Sequence, residues 1–152
     1  MKSMTLETAK HVIKAAEQKA KELRISQVIA IVDEGGNFTA CHRMDDAWLA
    51  SIDIAQNKAW TAVALRMPTS HLAHLAAPHA ELYGINTTNH GRVVVFGGGI
   101  PLVREGRIVG AVGVSGSTVA NDVEVAKAAV HAFESYASHM PQARRLDWAW
   151  IP

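Results

Sequence analysis

A glycine-rich tract in the second half of the sequence limits the fold more than any other feature. Residues 93–117, VVVFGGGIPLVREGRIVGAVGVSGS, hold seven glycines in 25 residues, and the runs between them are short and rich in β-branched side chains. Such runs, separated by residues that favour turns, predict strands. We therefore expect a three-stranded antiparallel meander with strands at 93–96, 100–104 and 107–115.

The residues before this tract predict two helices and a hairpin. Apolar residues recur at steps of three and four over residues 6–23, which is the spacing of one helix face, and Thr5 is placed to cap that helix. Two β-branched runs on either side of residues 34–37 predict a β-hairpin. The alanine-rich stretch at 47–65 carries apolar groups on most faces and predicts a mostly buried helix.

The remaining segments complete a predicted order of α-ββ-α-α-βββ-α. They are a short helical turn at 71–76, an irregular crossing segment at 78–91 and a long helix from about residue 121. This order favours an α/β fold of the α+β type, in which a mainly antiparallel five-stranded sheet is flanked by helices. A chain of 152 residues can build one hydrophobic core but not two ordinary domains, so we expect a single domain at 1–152.

Composition and charge argue against several classes of partner. The formal net charge of +1 gives no electrostatic basis for binding nucleic acid or an anionic membrane. The single cysteine, Cys41, cannot close an internal disulfide and fits a reducing compartment. No apolar run is long enough for a membrane span or has the form of a secretion signal. We therefore expect a cytoplasmic protein.

The glycine motifs of the tract do not match the catalytic or nucleotide-binding patterns that they resemble. Phosphate loops end in Gly-Lys-Ser/Thr and dinucleotide loops open a helix, whereas Gly97-Gly98-Gly99 is followed by Ile100 and a further strand. Ser115 lacks the second glycine of a GxSxG nucleophile elbow. The glycine run is therefore either a plain turn or a loop whose free N–H groups bind a carboxylate.

Two basic residues are candidates for binding a carboxylate. Lys58 falls on a stripe of small side chains that would pack close to the sheet, so its ammonium needs a partner. That partner is either a ligand or an acid of the chain such as Asp33 or Asp45. Arg43 could form a bidentate contact with the carboxylate of a ligand, or it could pair with Asp45 or Asp46.

Eight histidines raise the question of a metal or a haem. His71 and His74 lie three residues apart, without the glutamate of an HExxH zinc motif, so their spacing predicts no zinc site. Haem needs only one or two axial ligands and an apolar slot, and histidine spacing does not exclude it.

Several motifs occur in the order typical of one family. They are AIVDEGGNFTACHRMDDAWLASIDIAQNKAWTA, FGGGIPLVREGRIVGAVGVSGS and NDVEVAKAA, and the match runs from about residue 5 to residue 136. The sequence thus resembles the GlcG/HbpS-like family of haem-degrading HbpS-like proteins, which also supplies the C-terminal domain of PduO-type proteins. The resemblance implies a profilin-like fold, haem as a cofactor in some relatives, and a homo-oligomer of two to eight subunits.

The resemblance also implies a pocket between the lysine helix and the glycine strands, for haem or another carboxylate-bearing small molecule. The ligand-binding residues carried over by motif are Arg43, Lys58, Gly97, Gly98, Gly99, Ile100 and Ser115. No axial haem ligand can be carried over, and the candidates are His11, His79 and His90.

Two alternative functions remain open at this point. The first is an enzyme acting on a small unsaturated, keto or amino-substituted acid, by tautomerase-, deaminase- or hydrolase-type chemistry, with Lys58 or His90 transferring a proton. The second is an accessory assembly protein with an inert pocket. In each case residues 138–152, with Trp148 and Trp150, are expected to pack as a tail on the domain or on a neighbouring subunit.

Overall fold

The computed structural model describes residues 4–137. The helices are α1 (Leu6–Glu22), α2 (Leu49–Ala64), α3 (Thr69–Leu75) and α4 (Val119–Ala137), and the strands are β1 (Val28–Asp33), β2 (Phe38–Arg43), β3 (Gly99–Arg104) and β4 (Arg107–Ser115). Two short 3-10 turns, Ile85–Thr87 and Asn89–Gly91, lie between α3 and β3. The tail at 138–152, including Trp148 and Trp150, lies outside the described residues.

The helices form where apolar spacing predicted them. Thr5 caps α1, since its Oγ1 accepts a hydrogen bond from the Thr8 amide at 3.1 Å. The apolar stripe of α1 is buried against the sheet and α4. No helix within residues 4–137 has both the length and the apolar character that crossing a membrane requires.

The four strands form one antiparallel sheet in the order β2-β1-β4-β3. The fold is therefore of the α+β type, with helices on both faces of the sheet. At one end of the sheet, Arg43, Val28 and Ser115 lie in a row across three strands. Gly99, the first residue of β3, lies opposite Gly113 at the same end.

The prediction of a fifth strand at 93–96 is wrong, because within residues 4–137 this stretch joins no sheet. It runs beside α2 instead. The amide of Val94 donates to Oγ1 of Thr61 at 3.1 Å, and the same hydroxyl donates to the carbonyl of Arg92 at 3.4 Å. A helix side chain thus satisfies backbone groups that a neighbouring strand would otherwise pair. The glycine run is accordingly the approach to β3, and not a hairpin between two strands.

The two faces of the sheet carry different helices. Alternate residues Ile29, Ile31, Val112 and Val114 pack with α1 and α4. The intervening residues of β1 and β4 face the small side chains of α2. A Cβ at Gly113 would collide with the backbone of Ala55, so this glycine lets α2 lie almost directly on β4.

Candidate functional site

Lys58 is fully buried and its charge is neutralised by an acid from the far side of the sheet. Its Nζ donates to Oδ2 of Asp122 at 2.8 Å and to the carbonyl of Val114 at 2.8 Å. The ring of Phe96 lies 4.9 Å from the same ammonium, close enough for a cation–π contact. The expected structural partners Asp33 and Asp45 are not the ones used, so that prediction is corrected to Asp122.

The pair passes from one layer of the fold to the other. Lys58 belongs to α2, which covers one face of the sheet, and Asp122 lies in the first turn of α4, which covers the other face. The Lys58–Asp122 contact lies at the end of the sheet, beside the residues that precede β3. There the carbonyl of Gly98 accepts a hydrogen bond from the Val114 amide at 2.9 Å. Lys58 therefore ties the two helical layers together.

The glycine run leaves room for this lysine and its helices. A Cβ at Gly98, whose φ is +123°, would lie 2.7 Å from Lys58 Nζ and 2.6 Å from the carbonyl oxygen of Val114. At Gly97 a Cβ would lie 2.7 Å from a methyl group of Val123 in α4, and at Gly99 it would meet the Lys58 carbonyl. All three glycines are buried. The space beside them is filled by the protein itself.

Most of the backbone groups of this run already have partners. The Gly99 amide donates to Oγ1 of Thr69, the first residue of α3, at 2.9 Å. Ile100 lies in the β3–β4 ladder opposite Val112. A carboxylate would have to displace these bonds to use either amide, which weakens the interpretation of the run as an anion-binding loop.

The environment of Lys58 alters its acidity. Burial lowers the pKa of the ammonium below its ordinary value of 10.5, and the hydrogen bond and charge of Asp122 offset part of that effect. A lysine with a lowered pKa can exchange a proton more readily than a free one. Phe96, whose ring lies over this ammonium, is itself 39% exposed.

Ser115, the last residue of β4, hydrogen-bonds to α2. Its hydroxyl bonds to the hydroxyl of Ser51 in α2 at 3.1 Å, and both residues are buried. Among residues 4–137 no histidine hydrogen-bonds to either serine. The pair therefore lacks the general base that a nucleophilic serine needs.

Arg43 binds neither of the acids suggested for it. Its Nε and Nη2 both donate to the carbonyl of Ala47, at 2.9 and 2.7 Å, so the predicted pairing with Asp45 or Asp46 is wrong. These bonds hold the guanidinium beside the start of α2, two strands away from Ser115. Arg43 and Lys58 are thus at the same end of the sheet but belong to separate groups of contacts.

The histidines proposed as ligands are spread over two regions. His11, on α1, stacks on Tyr136 of α4 with ring centroids 4.3 Å apart. His79 and His90 lie in the segment between α3 and β3, both with positive φ, 68° and 58°. Within residues 4–137 no group of three or more His, Cys, Asp or Glu side chains is placed to hold a metal ion.

Sequence reasoning missed three residues that complete the Lys58 environment. Asp122 supplies the counter-charge of the ammonium, and Thr69 accepts a hydrogen bond from the Gly99 amide. The ring of Phe96 lies beside the ammonium. Asp122 had a weak signal, since an acid in the first turn of a helix interacts favourably with the helix dipole. That signal does not identify its partner.

Comparison with known proteins gives consistent matches over most of the chain. The family model "Haem degrading protein HbpS-like" matches residues 4–131. An uncharacterized 15.0 kDa protein from the dhaT-dhaS intergenic region of Citrobacter freundii is 45% identical, covering 86% of this chain and 92% of that protein. The corrinoid adenosyltransferase PduO of the same organism is 42% identical over 86% of this chain, which spans only 39% of PduO. A crystal structure of a PduOC:Heme complex is 39% identical, with a TM-score of 0.82, covering 85% of this chain and 94% of the other.

Proposed function

The chain belongs to the HbpS-like family of haem degrading proteins, and from this membership we propose that it binds haem. The observation that carries the proposal is the likeness to the PduOC:Heme complex, at 39% identity and a TM-score of 0.82. The family match over residues 4–131 includes every residue group considered for ligand binding. Haem, or a tetrapyrrole of similar shape and charge, is the ligand that these likenesses support.

The start of α2 offers an apolar surface and a cation, two features that favour haem binding. Trp48 is 65% exposed and Leu49 is 74% exposed, so an apolar macrocycle can pack against them. Arg43 is held beside them by its bonds to the Ala47 carbonyl. In α2, all of which is described, no side chain caps the first-turn amides and no acid lies in that turn. A haem propionate would meet both the guanidinium and the positive end of the helix.

Lys58 is less suited to bind the propionates directly. Its ammonium is buried and already donates to Asp122 and Val114. A carboxylate could replace Asp122 only by leaving that acid buried and unpaired, which is costly. We therefore assign Lys58 a supporting role, in which it fixes the packing of α2 against the glycine run.

A haemin titration followed by the visible spectrum tests the proposal. We expect a Soret shift that saturates at stoichiometric haemin, and weaker binding in Arg43→Gln and Trp48→Ala. Phe38→Ala is the matched control for Trp48→Ala, because Phe38 is 61% exposed and lies at the other end of the sheet. Absence of a Soret shift would overturn the haem proposal. Equal losses in Trp48→Ala and Phe38→Ala would overturn the location.

The axial ligand is sought among His11, His79 and His90. Replacing the true ligand by alanine should change the Soret position and the spin state of the bound iron, because the iron loses or exchanges a ligand. Replacing the others should leave the spectrum of the bound haem unchanged. If all three variants match the wild type, the axial ligand is not one of these histidines.

We also infer that the protein is a homo-oligomer of two to eight subunits. Several large apolar side chains are more than half exposed, among them Leu6, Phe38 and Tyr83, and surfaces of this kind favour association. Light scattering coupled to size-exclusion chromatography tests this directly. A mass of 16.4 kDa, the monomer, would contradict it.

Acid–base catalysis on a small carboxylic acid is a second candidate function, and one observation favours it. Burial lowers the pKa of Lys58, which is the direction that a proton-transferring lysine requires. The test is a panel of small unsaturated, keto and amino-substituted acids followed by NMR. Turnover that is lost in a Lys58→Met variant whose circular dichroism matches that of wild type, with His90→Ala compared beside it, would support the enzyme. A panel left unchanged by wild-type protein would exclude it for those acids.

A further inference from the structure

A cleft opens at the end of the sheet opposite the lysine and the glycine run. Its volume is about 400 Å³, and three parts of the fold line it: the β1–β2 turn, the C-terminal end of α2 and the β3–β4 turn. The lining residues are Glu34, Val63, Arg66, Gly106, Arg107 and Ile108. None of these residues is among those proposed to contact haem, so the cleft is separate from the candidate haem site.

The lining combines apolar surface with two cations. Val63 and Ile108 supply the apolar part, and Arg66 and Arg107 bring two guanidinium groups to the same small volume. Neither arginine is part of an ion pair within residues 4–137. With the carboxylate of Glu34 in the same lining, the three charged side chains leave the cleft one net positive charge. A bound carboxylate would balance that charge while accepting hydrogen bonds from the guanidinium groups. The volume lies within the range of small-molecule pockets.

Arg66 occupies a backbone position where glycine is the favoured residue. It follows the last turn of α2 with φ at 55°, the Arg66 amide donates to the Val63 carbonyl, and the Met67 amide donates to the Ala62 carbonyl. This is the helix-ending motif whose left-handed residue is usually glycine. Arg24 occupies the equivalent position after α1, with φ at 57° and the same pattern of hydrogen bonds.

Arg24 is therefore a matched control for Arg66. It precedes β1, whose first residue pairs with Ser115, so it lies at the end of the sheet away from the cleft. Replacing either arginine by glycine removes a guanidinium and installs the residue that prefers this backbone conformation. Neither change should unfold the protein, so a difference in binding between them reports on the cleft.

We propose that this cleft is a binding site for an organic carboxylate with a small apolar body, whose charge is met by Arg66 and Arg107. Such a group could come from a free acid or from a carboxylate arm of a tetrapyrrole. The apolar part of the ligand rests on Val63 and Ile108. Glu34 also lines the cleft, and its charge favours ligands with a single carboxylate over those with a second anionic group nearby.

Benzoate is the probe for the first arm of the test, followed by NMR shifts or calorimetry, with benzyl alcohol as its neutral counterpart. Wild-type protein should bind benzoate saturably and benzyl alcohol much more weakly. Arg66→Gly and Arg107→Gln should each weaken benzoate binding by at least about tenfold, because a charge-assisted hydrogen bond is lost. Arg24→Gly should bind as the wild type does, and the melting temperatures of the two glycine variants should be at or above that of the wild type.

The second arm repeats the haemin titration with the same variants. If Arg66→Gly loses benzoate but keeps haemin, the carboxylate of this site belongs to a free acid. If it loses both, the tetrapyrrole binds at this cleft and its proposed place at the start of α2 is overturned. Equal benzoate binding by Arg66→Gly and wild type, or equal binding of benzoate and benzyl alcohol, overturns the proposal. A missing Soret shift with benzoate binding intact would overturn only the haem function.

Discussion

Nζ of Lys58 lies 2.8 Å from Oδ2 of Asp122, and this contact joins helices on opposite faces of the sheet. The lysine side chain is completely buried and that of Asp122 is 4% exposed. Removing both charges from water is costly, and the pair offsets that cost only because its geometry is close and Val114 accepts a further bond. Such a contact fixes how α2, β4 and α4 fit together.

Neutralising the acid of this pair should destabilise the protein strongly. Asp122→Asn keeps the shape of the side chain but leaves the Lys58 ammonium buried without its counter-charge. We expect a loss of about 3–5 kcal/mol in the free energy of unfolding, measured by urea denaturation. Glu22→Gln is the control, since Glu22 pairs with Lys19 at 3.7 Å on the surface and should cost at most about 1 kcal/mol. Equal stability of Asp122→Asn and wild type would show that the pair does not hold the layers together.

Gly98→Ala should cost more than a substitution at another glycine with positive φ that lies in open space. Gly84 has φ at +89° and a Cβ there would meet nothing within 4 Å, whereas a Cβ at Gly98 would lie 2.7 Å from Lys58 Nζ. Gly84→Ala carries only the backbone penalty, about 1–2 kcal/mol. Gly98→Ala adds the clash, which costs about 1–3 kcal/mol more. Urea denaturation of both variants measures the difference, and equal losses would mean that Lys58 and the Val114 carbonyl both shift without cost.

The sequence carried enough information to predict that Lys58 needs a partner, but not to identify it. Helical spacing placed the lysine on a stripe of small side chains, and that stripe does face the sheet. Asp122 is 64 residues away in sequence, and the two meet only because α4 crosses the far face of the sheet. Sequence spacing reveals charge pairs within one helix or turn, but it does not show which acid of another element, Asp33, Asp45 or Asp122, the fold brings to a buried lysine.

The errors at 93–96 and at Arg43 have a similar cause. Residues 93–96 have the β-branched composition of a strand. Strand propensity reflects how well side chains pack on a half-buried surface, and here α2, not a neighbouring strand, provides that surface. Arg43 was expected to bind a charged neighbour, yet the Ala47 carbonyl accepts both of its bonds. The pattern of charged side chains in a sequence does not show which backbone carbonyl will accept a hydrogen bond from an arginine. The helices, the hairpin and β3–β4 were predictable because their patterns are local.

The lowered pKa of Lys58 makes stability depend on alkaline pH in a defined direction. In the unfolded chain the ammonium keeps its ordinary pKa of 10.5, so between the lowered folded value and 10.5 the unfolded state binds more protons. The free energy of unfolding therefore rises with pH across that window. This contribution is complete above 10.5 and is lost as pH falls through the folded pKa.

Lys58→Met lacks this titration, so the stability of wild type relative to the variant should increase as pH rises through the window. Urea denaturation of both proteins at a series of pH values measures the difference, and other titrating groups cancel in the comparison. A difference that stays constant or shrinks with rising pH would mean that burial does not lower the pKa of Lys58.

Thr69→Val should reveal how much the glycine run depends on its one side-chain acceptor from α3. The buried Gly99 amide donates to Thr69 Oγ1 at 2.9 Å, and valine has the same shape without the oxygen. A buried amide left without an acceptor costs about 1–3 kcal/mol. Thr87→Val is the matched control, because its hydroxyl bonds to the Gly84 carbonyl at 2.7 Å in an exposed turn, where water can replace it. Thr69→Ser should restore most of the stability, since it returns the oxygen. If Thr69→Val and Thr87→Val lose equally little in urea denaturation, the Gly99 amide finds another acceptor and the start of β3 is more adaptable than its burial suggests.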